Sequence, residues 1–434
     1  MFKKKALFVI LMLEPKFIRE NVAFLKKDFK RRKDNSILKA LDSFIVLDEE
    51  IRKLKVEVDD LRRKRNEYSQ QVNKLRKEGK SIDSILKKVK AIPDKIRAKE
   101  LEYAEKEKEL ARVHSKLPNP MHKDVEYGKN DEDNVELKKW GKIPKFDFEI
   151  KNHIEILENL GLVDFDISAT LSGNGYYVLK GDLALLNQAI LQYAIDFMNK
   201  RGYTYVEPPL MIRKDILFAA LDQGEFDNSI YAIEGEDLCM IGTSEHPILG
   251  LHTRDIIDEG DLPKKYFSYT MCFRKEIGSH GINEKGLWRT HQFNKVEQFI
   301  FCEPDKSWEM FDELLKNKED FFQSLEIPYR LVSSCTGDLS VWKAKMIDLE
   351  AWRPTTKDYG ELTSLSNCLS YQAQSLGIKL RRKDGTKELV HTLNNTCVAT
   401  SRALVAIVEN FQQKDGSIKV PKVLVKYLGK KVIK

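Results

Sequence analysis

At 434 residues the chain has room for two or three domains of ordinary size, and 42% hydrophobic content supports a full core. Six cysteines in this length exclude a disulfide scaffold and point to a reducing compartment. The net charge of +7 is local: Arg52 to Lys90 carries 14 Lys/Arg against 6 Asp/Glu, and the remainder is close to neutral. That distribution fits either a polyanion-binding appendage or the solvated surface of a long charged helix.

Lys3, Lys4 and Lys5 precede the apolar run Ala6 to Leu13. The run is too short to span a bilayer, and no small-residue cleavage site follows it. Met12-Leu-Glu-Pro reads as a second start, so residues 1–11 are expected to be an extension rather than a signal peptide. No other stretch is apolar enough to cross a membrane. From Ser36, Leu47, Ile51, Leu54, Val58, Leu61, Arg65, Tyr68, Val72 and Leu75 follow alternating spacings of four and three, a heptad seam. Gly79 and Ser81 interrupt it. A second seam runs Ile82, Ile85, Val89, Ile92, Ile96, Lys99, Tyr103, Lys106, Leu110, Val113, Leu117. Two seams joined by a short polar turn predict an antiparallel coiled-coil hairpin. Its first helix, Ser36 to Lys77, spans about 60 Å at 1.5 Å per residue. Its tip carries Arg76, Lys77 and Lys80, and Pro93 is expected to kink or restart the second helix.

Leu117-Pro118-Asn119-Pro120 ends the arm, and a polar linker follows over Gly128 to Asn134. From about Phe146 strand-like runs (Tyr176 to Leu179, Phe299 to Phe301) alternate with amphipathic helices such as Leu183 to Lys200. This predicts an α+β domain, an antiparallel sheet flanked by helices. The expected organisation is an extension over 1–11, an arm over 12–120 and a catalytic domain over 121–434.

Several common sites lack their residues. There is no CxxC, HExxH, Walker A or GxSxG sequence, and Gly173-Asn174-Gly175 lacks the third glycine of a dinucleotide loop. No zinc site is expected. The informative stretch is Cys272 to Phe299, in which two strand-like ends flank a polar loop. Alternation puts Arg274 with Glu276 on one face, and Phe293, Lys295 and Glu297 on the return strand. An arginine there suits a phosphate, a ring suits a base, and a carboxylate suits an amine. A surface hairpin with cross-strand ion pairs fits the same spacing. Glu361-Leu362-Thr363-Ser364 offers hard oxygens suited to Mg²⁺ with phosphates. Asn394 to Ser401 leads Arg402 into a helix start, where dipole and guanidinium both face an anion. Taken singly, each is also an ordinary loop or cap.

In this order the three segments resemble the signature motifs of class II aminoacyl-tRNA synthetases: Gly202 through Pro208-Pro209, Phe273-Arg274-Lys275-Glu276 through Glu297, and the run ending at Arg402. The class I signatures HIGH and KMSKS are absent. Within the class, the chain from Met12 resembles the seryl-tRNA synthetases. The resemblance rests on Met12 to Asn21, the coiled-coil arm, Thr243-Ser244-Glu245, GLWRTHQFNKVEQF and ELTSLSNCLSYQAQ. Gly278-Ser279-His280-Gly281 and Ala399-Thr400-Ser401-Arg402 resemble the family's archaeal and eukaryotic cytosolic branch. Asn395 stands where many members carry Gly or Ala, and is expected to reshape the serine pocket slightly.

The resemblance implies a cytoplasmic homodimer that activates L-serine with ATP and Mg²⁺ and transfers it to tRNA(Ser), with tRNA(Sec) an open second acceptor. Arg274 and Arg402 are the implied catalytic residues, on the α- and γ-phosphates. Phe293 stacks on adenine, sandwiched with Arg402; Glu276 reads the adenine amine, and Thr290 contacts adenine through its backbone. Lys275, Leu362 and Thr363 belong to the implied ATP-binding set, and Glu361 and Ser364 ligate Mg²⁺. Glu297 and Thr243 take the serine ammonium, Glu245 and Thr396 its hydroxyl, with Asn394 nearby; Ser244 and Arg274 complete that pocket. A paralogue that only binds RNA or a partner usually loses the motif arginines or the metal carboxylate, and Arg274, Glu276, Glu361 and Arg402 are all present here. A carrier-protein aminoacylase of related fold would lack the arm. Another class II specificity would need a different pocket around Thr243 and Glu245.

Overall fold

The computed structural model describes residues 13–221, 223–277 and 285–434. The extension expected over 1–11, the start at Met12 and the Gly278 to Gly281 quartet lie outside the described residues. The chain forms two compact units that divide after Pro118.

The first unit is helical. Pro15 opens α1 (Pro15–Glu20), where its missing N–H is no loss; α2 (Val22–Phe29) follows. Asp34 caps α3 (Asn35–Lys77) by accepting from the Ser36 amide at 2.7 Å. Gly79 turns the chain at a φ of 67°, and α4 (Asp83–His114) returns. The heptad reading is met on its apolar members: Leu47, Ile51, Leu54, Val58 and Val72 are buried in α3, and Ile92 and Ile96 in α4. Lys106–Glu50, Lys99–Glu57 and Arg62–Glu100 tie the helices at 2.8, 3.0 and 2.7 Å. These pairs are exposed, so they set register more than stability. At the base Ile18, Leu25, Phe29, Leu41, Phe44 and Leu117 form a small core. The helix continues through Pro93, contrary to the expected restart. Pro93 lies on the exposed face, where water can serve the carbonyl its missing N–H leaves.

The second unit is built on an eight-stranded sheet: β1 (Val135–Trp140), β2 (Thr204–Tyr205), β3 (Lys264–Phe273), β4 (Gln292–Cys302), β5 (Tyr329–Ser333), β6 (Lys345–Arg353), β7 (Asp358–Leu369) and β8 (His391–Ala399). Their order is β1-β5-β6-β7-β8-β4-β3-β2, antiparallel except for the pairing of β2 with β3. Before the sheet's second strand come α5 (His153–Asn159) and α6 (Gly181–Asn199). The short helix α7 (Glu245–Gly250) precedes β3. One sheet face is apolar: Leu349, Leu365, Leu393 and Val398 meet α8 (Ser307–Ser324), through Phe311, Leu314 and Phe321, and α9 (Thr400–Asn410), through Leu404 and Ile407. The other face carries the polar residues described next. Alternation along the strands thus separates core from site.

Candidate active site

The polar face closes around a cavity of about 430 Å³. Strand period explains what lines it. On β4, Phe293, Lys295 and Glu297 alternate toward the cavity, while Val296 is fully buried in the core. On β8, Asn394 and Thr396 do the same. Asn395 points the other way and donates to the Leu314 carbonyl at 2.9 Å. It therefore fills the sheet–α8 layer and does not reshape the pocket, which corrects the expectation from sequence.

At one end of the cavity the carboxylates are tightly placed. Thr396 and Glu297 face each other across β8 and β4, and the threonine hydroxyl donates to Glu297 Oε2 at 3.0 Å. Lys295 Nζ lies 2.6 Å from the same oxygen and donates to Thr243 Oγ1 at 3.1 Å. A buried ammonium thus occupies the Glu297–Thr243 seat. The Glu245 amide donates to Thr243 Oγ1 at 3.3 Å, which holds the two side chains of that loop together. Glu245 Oε1 accepts from Gln372 at 2.7 Å and Asn394 at 3.1 Å. Gln372 is itself oriented by the Thr392 hydroxyl, which donates to its carbonyl at 2.7 Å. Burial, reinforced by Glu297, pushes the Glu245 carboxyl above its ordinary range.

At the other end are the arginines. Arg274, just past β3, donates through Nε to the Gly242 carbonyl at 3.0 Å, and its guanidinium lies 5.4 Å from the Phe293 ring. Arg402, in the first turn of α9, donates to the Glu361 carbonyl at 2.8 Å and to Glu361 Oε2 at 3.1 Å. Burial works against the Glu361 charge, but the Arg402 guanidinium outweighs it and holds the carboxyl below its ordinary range. The Arg402 guanidinium lies 5.4 Å from the Trp288 ring and donates through Nε to the Trp288 carbonyl at 3.3 Å. Glu276 also lines the cavity and accepts from Arg289 at 3.2 Å. β3 ends at Phe273 and Glu276 has a φ of 53°, yet Arg274 and Glu276 both line the cavity, with Phe293, Lys295 and Glu297.

Glu361, Leu362, Thr363, Ser364 and Thr290 line the cavity as well. Lys275 and Ser244 are not among its lining residues. Lys275 reaches the Asp227 carbonyl at 3.4 Å, and Ser244 is fully buried. The donor set suits a hard cation. Ser364 and Asp348 stand opposite each other in the β6–β7 register beside Glu361, with their side chains in contact and Ser364 Oγ and Asp348 Oδ1 buried. Burial and the Glu361 charge push the Asp348 carboxyl up, and burial pulls the amine of Lys318, behind the strands, down. No group of three or more His, Cys, Asp or Glu among the described residues converges on one point. The sequence reading left out Trp288, Lys343, Asp348 and Gln372; it saw Lys295 on the strand face and gave it no role.

A mostly antiparallel sheet with helices on one face and a cavity lined by Arg274, Phe293 and Arg402 on the other is the arrangement of a class II aminoacyl-tRNA synthetase. A family model of the class II core domain for Gly, His, Pro, Ser and Thr enzymes matches residues 229–411, and one of the seryl-tRNA synthetase N-terminal domain matches residues 12–121. The chain belongs to the seryl-tRNA synthetase family, and its reaction is the ATP-dependent ligation of serine to tRNA. A serine–tRNA ligase of Methanoregula boonei is 43% identical over 420 residues, covering 96% of this chain and 99% of that one. The crystal structure of a Pyrococcus horikoshii seryl-tRNA synthetase complexed with ATP superposes with a TM-score of 0.91 at 40% identity, covering 97% of this chain and 99% of that one. A cytoplasmic serine–tRNA ligase from Naegleria fowleri in complex with AMP gives 0.87 at 34% identity, covering 98% and 99%. Among the described residues no helix is long and apolar enough to cross a membrane.

Proposed function

We propose that the two ends of the cavity seat serine and ATP side by side, in the roles the family resemblance implies. The observation that carries this reading is the Glu297–Thr396–Lys295–Thr243 cluster, an anionic seat already holding an ammonium beside the arginines. An incoming serine ammonium takes Glu297 and Thr243 from Lys295, and the displaced Lys295 cation turns to the serine carboxylate. The serine hydroxyl meets Glu245 and Thr396. Arg274 holds the α-phosphate, Arg402 the γ-phosphate, and Phe293 the adenine ring, with Glu276 on its amine. A serine carboxylate oxygen attacks the α-phosphorus in line; the bond to the β-phosphate oxygen breaks, and pyrophosphate leaves. A ribose hydroxyl of the terminal adenosine of tRNA then attacks the seryl carbonyl, and AMP leaves. No protein nucleophile is required, and the residues act by positioning and charge neutralisation. Glu361 and Ser364 would hold Mg²⁺, which neutralises phosphate charge when bound.

The arm over 12–120 is the tRNA(Ser)-binding domain and 121–434 the catalytic domain, with tRNA(Sec) a candidate second acceptor. The enzyme works as a cytoplasmic homodimer through the α6–β2 segment that ends at Pro208-Pro209. The basic surplus of Arg52–Lys90 on a long hairpin supports the arm's role. Removing Asp42 to Ser115 is expected to spare serine-dependent pyrophosphate exchange and abolish tRNA charging. Charging at near-normal efficiency without the arm would contradict this assignment.

A further inference from the structure

His153, the first residue of α5, is buried at 5% exposure in the catalytic unit, outside the cavity lining. Its ring joins two segments far apart in sequence. Nε2 accepts from the Leu287 amide at 3.2 Å. An acceptor carries no proton, so in this geometry the proton sits on Nδ1, which donates to Glu409 Oε1 at 2.9 Å. Glu409, near the end of α9, the helix whose first turn carries Arg402, is fully buried and also accepts from Thr355 at 2.9 Å. The imidazole is therefore neutral, fixed in one tautomer, and aimed at a backbone amide of the segment that carries Trp288.

That segment bears directly on Arg402. Two guanidinium groups lie against the Trp288 ring, Arg353 at 4.2 Å and Arg402 at 5.4 Å, and the Trp288 carbonyl accepts from Arg402 Nε at 3.3 Å. Space around the anchor is closed. A Cβ on Gly286 would come within 2.9 Å of His153 Nε2, at a φ of 143° that disfavours side chains. A Cβ on Gly360 would come within 2.5 Å of the Trp288 ring. Leu287 is fully buried, so removing the imidazole takes the acceptor from a buried amide.

We propose that His153 is a positioning residue for nucleotide binding: with Glu409 it pins Gly286–Arg289 to the Arg402 helix, so that Trp288 holds Arg402 aimed into the cavity. The inference rests on the reading of that cavity as the ATP site.

Asparagine can keep the Nδ1 contact but not Nε2; glutamine places an acceptor near Nε2. The test is hydrogen exchange of the 285–289 amides, with KM for ATP, KM for serine and kcat in pyrophosphate exchange. His153→Asn is expected to speed exchange there and raise KM for ATP about tenfold, with KM for serine and kcat within about twofold. His153→Gln is expected to recover most of the ATP effect. The proposal is overturned if a folded His153→Asn leaves either the Leu287 amide or KM for ATP at the wild-type value. It is also overturned if both KM values rise together, as a general loss of structure would cause. Should His153→Asn not fold, Gly286→Ala displaces the same contact from the loop side, with the same expected and overturning results. A wild-type chain that does not saturate with ATP would sink the reading of the cavity, while amide exchange still decides the anchor.

Discussion

Replacing Arg274 by Ala lowers serine-dependent ATP–pyrophosphate exchange by a factor on the order of 10³, the scale of losing one preorganised donor to developing charge. Arg274 is held for this. Its Nε donates to the Gly242 carbonyl, so the guanidinium is fixed, with Phe293 alongside. Charge neutralisation at the α-phosphate falls to this group in the proposed mechanism, and no side chain of the protein reacts covalently in its place. Arg274→Lys restores little, because an ammonium cannot offer two parallel donors while keeping the Gly242 contact. Steady-state exchange of the purified variants, with melting temperature as a control for folding, checks this. Activity within tenfold of wild type in a folded Arg274→Ala would remove the residue from the phosphate.

Glu245→Ala is expected to lose serine activation and to collapse the preference for serine over alanine, while ATP still binds. The wild-type pocket surrounds Glu245 with donors to Oε1, Gln372 and Asn394, which fixes the carboxyl; in the proposed mechanism Oε2 takes the substrate hydroxyl. Alanine leaves that oxygen without a substrate hydroxyl in a buried site. Sites built in this way reject the analogue lacking a hydroxyl by factors on the order of 10⁴. Threonine keeps the hydroxyl and adds a methyl, so shape alone excludes it, by a smaller factor. Exchange with serine, alanine and threonine, for wild type and variant, reads both ratios. An unchanged serine-over-alanine ratio in the variant would take Glu245 out of hydroxyl recognition.

The parts of this molecule that repeat with a fixed period were legible in its sequence. Heptad spacing located the arm's first helix to within a residue and its second to within three, because an exposed hairpin has little besides its own seam to satisfy. Period two put Phe293, Lys295 and Glu297 on one face of β4, where the structure has them. The same rule paired Arg274 with Glu276, and both line the cavity although β3 ends at Phe273 and Glu276 has a left-handed φ. It was not applied at Asn395, whose neighbours Asn394 and Thr396 already claim the cavity face. Contacts across long sequence separations were not legible at all. Gln372 reaches Glu245 over 127 residues, and His153 reaches Glu409 over 256. No local pattern encodes such pairs; they exist only once the sheet has set the strands in order. At Pro93, where a kink or a restart was expected, the helix runs on without a restart.

The central claim is that this chain activates serine, by the hydroxyl-reading pocket at one end of the cavity and ATP at the other. ATP–pyrophosphate exchange by the purified full chain, run separately with each of the twenty amino acids, tests it most directly. Serine alone is expected to support strong exchange, with threonine weaker and alanine near background; exchange driven best by any other amino acid, or by none, would contradict the account.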